Sequence, residues 1–235
     1  MSGYAISLTS IPPRLHRLGP VLRSLLAQRP APAGVLLCLP HAPARFDAAP
    51  LPVVPEGVEL LRPARDDGPA TKVLPAAGAV AGRVDRLIYC DDDWIMPQGW
   101  AARLLAAGEA SEAVAAAGFD VDRLKRRSHR PPDPASCDIA QGYAGVSIRP
   151  EWLCGADCAP PPEAWPVDDI WLSAQLARQG IPIRLATEAR EGARLAYADA
   201  HALQDAAIDG RKRHAANLAC VALVTARYGL WPPRD

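Results

Sequence analysis

The chain has 235 residues, enough for one sizeable core, and 49% of them are hydrophobic, which excludes an intrinsically disordered protein. Its 26 Lys and Arg balance 26 Asp and Glu, so a broad basic surface for nucleic acid is not expected. No apolar run approaches the ~20 residues of a bilayer-spanning helix, and no basic segment with an apolar core opens the chain; a cytoplasmic location follows as the expectation, with at most peripheral contact to the inner face of a membrane.

Tyr4 to Thr9 alternates and is β-prone, a first strand. Ser10-Ile11-Pro12-Pro13-Arg14 follows. The prolines cannot continue a central strand, so they fix a rigid loop at its C-terminal end. There Thr9 and Ser10 offer hydroxyls and Arg14 a planar cation, a mixture suited to a base, a ribose or a phosphate; an ordinary strand-to-helix turn is the competing reading. Leu18, Val21, Leu22 and Leu25 have helical spacing, and Pro30-Ala31-Pro32 closes that helix. Residues 34–39 form a continuous apolar run, a second buried strand. A Pro-rich surface loop from Pro40 to Pro55 leads to a third strand at 58–61. Strand, helix and strand with right-handed crossovers predict a parallel sheet in an α/β fold.

Asp66-Asp67-Gly68-Pro69-Ala70-Thr71-Lys72 breaks the backbone and opens a helix to about Ala81. Lys72 at a helix start can meet a phosphate, and Asp67, just before a Gly, can hold a ribose or orient a base. The G-x4-G-K-[ST] spacing of a P-loop is absent.

Arg86-Leu87-Ile88-Tyr89-Cys90 is an apolar, β-prone run that ends in Asp91-Asp92-Asp93. Three adjacent carboxylates repel one another and call for a compensating cation. On an extended backbone Asp91 and Asp93 point the same way and Asp92 the opposite way. Asp91 and Asp93 are therefore candidate ligands for Mg²⁺ or Mn²⁺, which take oxygen donors and leave positions for phosphate and water. The C-terminal end of a strand is where open α/β sheets bind ligands.

A helix with Trp100, Leu104 and Leu105 on one side follows Met96-Pro97-Gln98. Residues 107–135 read as an Ala-rich helical piece and a basic run, Lys125 to Arg130, either a solvated loop or a lid that attracts an anionic substrate. In Gln141-Gly142-Tyr143-Ala144-Gly145 the glycines allow close approach of a ligand. Val167-Asp168-Asp169-Ile170-Trp171 begins an amphipathic helix with Ile170, Trp171, Ala174 and Ala177 inward. Two carboxylates there suit the helix dipole; the functional reading is a general base. A late strand near 181–185 and a last helix with Leu218, Val221, Ala222 and Thr225 on one face complete the chain. Cys38, Cys90 and Cys220 read as core residues. Cys154 and Cys158, with Cys137 before them, lack a fourth partner at zinc-finger spacing.

In their order and spacing, Leu8-Thr9-Ser10-Ile11-Pro12-Pro13-Arg14, Asp67 to Lys72, Tyr89 to Asp93, Gln141 to Gly145 and Val167 to Trp171 resemble bacterial GT-A fold glycosyltransferases, nearest to the family 2-like inverting enzymes. The resemblance runs from about residue 4 to 231. It implies a single GT-A-like, Rossmann-like domain with a mixed, mostly parallel sheet flanked by helices. Residues 1 to about 95 would form the nucleotide-sugar-binding half, and about 96 to 235 the acceptor-binding and catalytic half. It also implies a nucleotide-diphospho-sugar donor, with a UDP-sugar the first choice, a glycan or glycolipid acceptor, and Mn²⁺ or Mg²⁺. Asp91 and Asp93 match the D-x-D motif, with Asp92 between them at the donor. Asp168-Asp169 matches a Glu-Asp pair whose second acid is the usual base, so Asp169 is the first candidate and Asp168 the second, since Asp replaces the usual Glu. A late metal-binding His would be His201 or His214. Gln141, Gly142, Tyr143, Gly145 and Trp171 would line the acceptor site. A nucleotidyltransferase or a non-catalytic nucleotide-sugar-binding protein remain as alternatives; a D-x-D-x-T phosphohydrolase is disfavoured by Ile95 in place of Thr.

Overall fold

The computed structural model of the chain describes residues 3–47, 49–197 and 213–234. In chain order the strands are β1 (Tyr4–Thr9), β2 (Val35–Cys38), β3 (Val58–Leu61), β4 (Arg86–Tyr89), β5 (Trp94–Ile95), β6 (Ala113–Ala115), β7 (Gly118–Phe119), β8 (Ser136–Cys137), β9 (Ile139–Ala140), β10 (Val146–Ile148), β11 (Ile183–Leu185) and β12 (Arg194–Leu195). The α-helices are α1 (Gly19–Leu26), α2 (Leu74–Val80), α3 (Trp100–Ala106), α4 (Asp168–Arg178) and α5 (Arg213–Tyr228).

Eight strands form one sheet in the order β3-β2-β1-β4-β10-β6-β11-β8. The first four are parallel, β10 runs antiparallel between β4 and β6, and β11 is parallel to β6. Successive residues of the central strands go to opposite faces and both faces are covered, as a parallel sheet requires. Ala5, Leu36, Cys38, Leu87 and Tyr89 join the core under α2, α4 and α5. Ile6, Leu8, Val35, Leu37, Ile88 and Cys90 join the core under α1 and α3. The expected α/β architecture, with its mixed, mostly parallel sheet, is the one observed.

Three expectations change. The Ala-rich stretch after α3 contains strand β6, where Ala113, Val114 and Ala115 are paired on both sides; tertiary pairing overrides the helical propensity of alanine. The basic run, read as a solvated loop or a lid, is neither free nor loose. Arg126 bridges to Pro233, Arg127 N–H donates to Pro232 O, and the Trp231 amide donates to His129 Nε2, so the run is strapped to the C-terminal segment. On α5 the buried face is Ala216, Cys220, Val221 and Val224, whereas Leu218 is exposed. The six cysteines are free, five of them buried and Cys154 exposed.

Candidate active site

The parallel strands deliver their loops to one edge of the sheet, and a cleft of about 720 Å³ opens there, within the size range of small-molecule sites. It is lined from both halves of the chain: Thr9, Ser10 and Arg14 after β1, Lys72 before α2, Asp91 to Asp93 after β4, and Asp168 and Asp169 at the start of α4.

The acidic triplet divides its work. Asp92 is buried, and both of its oxygens are taken, one by the Ser10 hydroxyl at 2.5 Å and the other by Arg14 at 2.6 Å. Burial raises its pKa, while the Arg14 charge and the Ser10 hydrogen bond oppose the rise. Asp92 therefore ties the β1 loop to the β4 loop. Asp91, with 37% of its side chain exposed, pairs with Lys72. Asp93 keeps one carboxylate oxygen, Oδ1, buried and without a hydrogen-bond partner. Burial, then the charges of Asp91 and Asp92, push the Asp93 carboxyl up to about 6.

Lys72 is the second organising residue. Its side chain is 2% exposed, and its ammonium lies 2.5 Å from Asp91 Oδ1 and 2.7 Å from Asp168 Oδ2. Burial alone would lower its pKa, but Asp168, Asp91 and Asp169 outweigh that and hold it well above the usual value. Lys72, read from the sequence as a phosphate contact, is a buried cation in the cleft wall that joins the two acidic clusters.

Asp169 Oδ1 accepts the Gly142 amide at 2.9 Å, and its Oδ2 lies 3.8 Å from Arg213. Burial, then the adjacent Asp168, push its carboxyl up to about 7, against the pull of Lys72 and Arg213. Asp168 by contrast is enclosed, 4% exposed, and committed to Lys72. Asp169 is the more open of the two, 15% exposed against 4%, and a carboxyl at about 7 suits proton transfer near neutrality.

Other candidates sort as follows. Thr9 lines the cleft, but its hydroxyl donates to Cys38 O. Asp67 turns to Arg65 at 2.6 Å, and it is Asp66 that lines the cleft. Gln141 and Tyr143 line it as well. Gly142 serves differently: besides binding Asp169, it leaves room for Lys72, whose Nζ would lie 2.6 Å from a Cβ at this position. Gly145 has φ +102° and packs against Trp100, where a Cβ would meet the indole at 2.3 Å, so it is a packing residue. Trp171 is fully buried and donates to Cys158 O at 2.7 Å, so it belongs to the core and not to an acceptor site. His214 is exposed and away from the cleft, and its neighbour Arg213 lines it instead. His201 lies outside the described residues. The sequence reading missed Trp94, Trp165 and Arg190, all of which line the cleft. Only a Trp directly after the Asp triplet offered any signal, and Arg190 offered none.

No protein-family model matches the sequence, and no curated protein matches it significantly. Solved structures do match in shape. Glucosyl-3-phosphoglycerate synthase from Mycobacterium tuberculosis, solved with Mg²⁺ and UDP, superposes with a TM-score of 0.54 over 97% of this chain and 80% of its own, at 14% identity. The chain has the GT-A glycosyltransferase fold. GalNAc-T7, solved with UDP, GalNAc and Mn²⁺, gives a TM-score of 0.52 at 13% identity; the match covers 80% of this GT-A chain and 43% of GalNAc-T7, less than half of that protein.

Proposed function

We propose that this chain is a metal-dependent glycosyltransferase that moves a sugar from a nucleotide-diphospho-sugar, a UDP-sugar in the first place, to an acceptor hydroxyl with inversion. The observation that carries the proposal is the pairing, across one cleft, of the Asp91-Asp93 edge with a separate carboxylate, Asp169, whose pKa is raised to about 7. The two similar structures hold UDP with Mn²⁺ or Mg²⁺, which supports the same reading.

The residues present fit a divalent cation. Asp93 Oδ1 is buried without a partner, and Asp91 and Asp93 are hard oxygen donors. Among the described residues no three His, Cys, Asp or Glu are grouped to hold an ion alone, so the diphosphate and water would complete the shell, held to the protein through Asp91 and Asp93. When bound, such an ion supplies Lewis-acid neutralisation of charge on the leaving diphosphate. The chain's own groups do the rest. Ser10 and Arg14 fix the Asp92 loop, and Lys72 keeps Asp91 and Asp168 in place. Asp169 takes the acceptor proton while the acceptor oxygen bonds to the anomeric carbon and the bond from that carbon to the diphosphate breaks. A base of this kind contributes about 10²–10⁴-fold in rate.

The test is thermal unfolding with UDP-, GDP- and dTDP-sugars, each with and without Mn²⁺. A donor at one hundred times its dissociation constant stabilises the fold by about 2.7 kcal/mol. A Mn²⁺-dependent rise with one donor, followed by release of the nucleoside diphosphate on adding acceptor, supports the proposal. No rise with any donor sinks it, and release of pyrophosphate would show a nucleotidyltransferase.

A further inference from the structure

Arg190 ends a short 3-10 turn, Thr187–Arg190, just after β11, and lines the cleft. Its guanidinium lies 4.9 Å from the centroid of the Tyr143 ring and 5.7 Å from that of Trp94. It donates one hydrogen bond, to the Tyr143 hydroxyl at 2.6 Å. The two rings stand 5.7 Å apart at 44°. The other basic side chains near the acids are already matched: Arg14 to Asp92, Lys72 to Asp91 and Asp168, and Arg213 toward Asp169. No carboxylate lies within ion-pairing distance of Arg190 among the described residues. A planar cation braced on two aromatic faces, with donors to spare and no carboxylate partner among the described residues, is built to receive an anion.

Topology says on which side of the reaction that anion arrives. Arg45, another cleft cation without a carboxylate partner among the described residues, follows β2, on the far side of β1. Arg190 follows β11, on the other side of β4 and its acids. Tyr143 is one residue from Gly142, whose amide holds Asp169. A group seated on Arg190 and the aromatic pair is therefore beside the candidate base. Aromatic faces there also suit the C–H surface of a sugar ring.

We infer that the acceptor is a sugar or polyol that carries an anionic group, a phosphate monoester or a carboxylate, and that Arg190, braced by Trp94 and Tyr143, binds that group. The inference rests on the glycosyltransferase reading and adds the class of acceptor to it.

The experiment is calorimetric titration of glucose 6-phosphate, glucuronate and glucose into protein saturated with UDP and Mn²⁺, with UDP affinity measured in the same buffer. The wild type is expected to bind one of the anions at least about tenfold more tightly than glucose, as a charge-assisted contact gives, and the preferred anion tells phosphate from carboxylate. Arg190→Gln should erase the preference while UDP affinity stays within about twofold, and Arg190→Lys should keep part of it. Equal binding of all three sugars, or none, overturns the inference and leaves the donor site standing. Loss of UDP affinity in Arg190→Gln with the anion preference intact also overturns it, since Arg190 would then serve the diphosphate. Failure of the wild type to bind UDP with Mn²⁺ overturns the glycosyltransferase reading itself, and the inference with it.

Discussion

The amide of Gly142 donates to Asp169 at 2.9 Å, and a Cβ on the same residue would sit 2.6 Å from the ammonium of Lys72. One glycine therefore positions the candidate base and leaves space for the cation between the acidic clusters. Gly142→Ala must move Lys72, which is enclosed by two carboxylates. The expected result is a loss of about 1–3 kcal/mol of stability, as in overpacked sites. Turnover should fall more than donor affinity does, as checked by denaturant unfolding and by kcat beside UDP binding.

Asp169→Asn should lower turnover by about 10²–10⁴-fold with donor binding kept. Wild-type turnover in this variant would remove Asp169 from the role of base.

Because the Asp169 carboxyl is pushed up to about 7, turnover should rise with pH along a single ionisation near that value and then level off. The sign for stability is the reverse. A carboxyl with a raised folded pKa favours the folded state fully below its unfolded value of about 4, and that contribution is lost as pH rises through about 7. Asparagine mimics the protonated form, so the metal-free Asp169→Asn protein should gain stability relative to wild type between about pH 4 and 7. Melting curves across that range decide it; a constant difference would mean that Asp169 titrates normally.

Lys72→Met leaves the buried Asp168 without its cation and should cost about 3–5 kcal/mol, most of it from Asp168, since Asp91 is 37% exposed and screened by solvent. The double variant Lys72→Met/Asp168→Asn should cost less than the sum of the two single variants by about 0.5–3 kcal/mol. Additive losses in urea unfolding would show that the two residues do not share an interaction.

Trp171→Ala should act on the fold and not on the acceptor. It removes a fully buried indole and its hydrogen bond to Cys158, for a cost of about 3–5 kcal/mol. Trp171→Phe should retain much of the stability, with an unchanged KM for the acceptor.

Much of this was legible in the sequence because local pattern and tertiary role agree. Residues 4–9 alternate and are β-prone, 35–38 are a continuous apolar run and 86–89 are mostly apolar and β-prone, and these became the central parallel strands. The acidic triplet and the Asp168-Asp169 pair came to one cleft because strand ends and helix starts face the same sheet edge. What failed depended on partners distant in sequence. Ala113 to Ala115 became a strand only through β10 and β11. The ion pair of Lys72 with Asp168 was not legible because nothing near Lys72 in sequence announces a partner 96 residues away. Trp171 and Gly145 were assigned to the acceptor by resemblance, and their neighbours in space, Cys158 and Trp100, claim them for packing.

The buried ammonium of Lys72 joins Asp91, after β4, to Asp168, at the head of α4. A chimera that joins residues 1–95 to the second half of another protein of this fold would inherit half of that ion cluster. The graft would have to bring a carboxylate where Asp168 stands. Without it, the transplanted half would meet a lysine with one anion in place of two, and the chimera should fold poorly however well its other contacts were chosen.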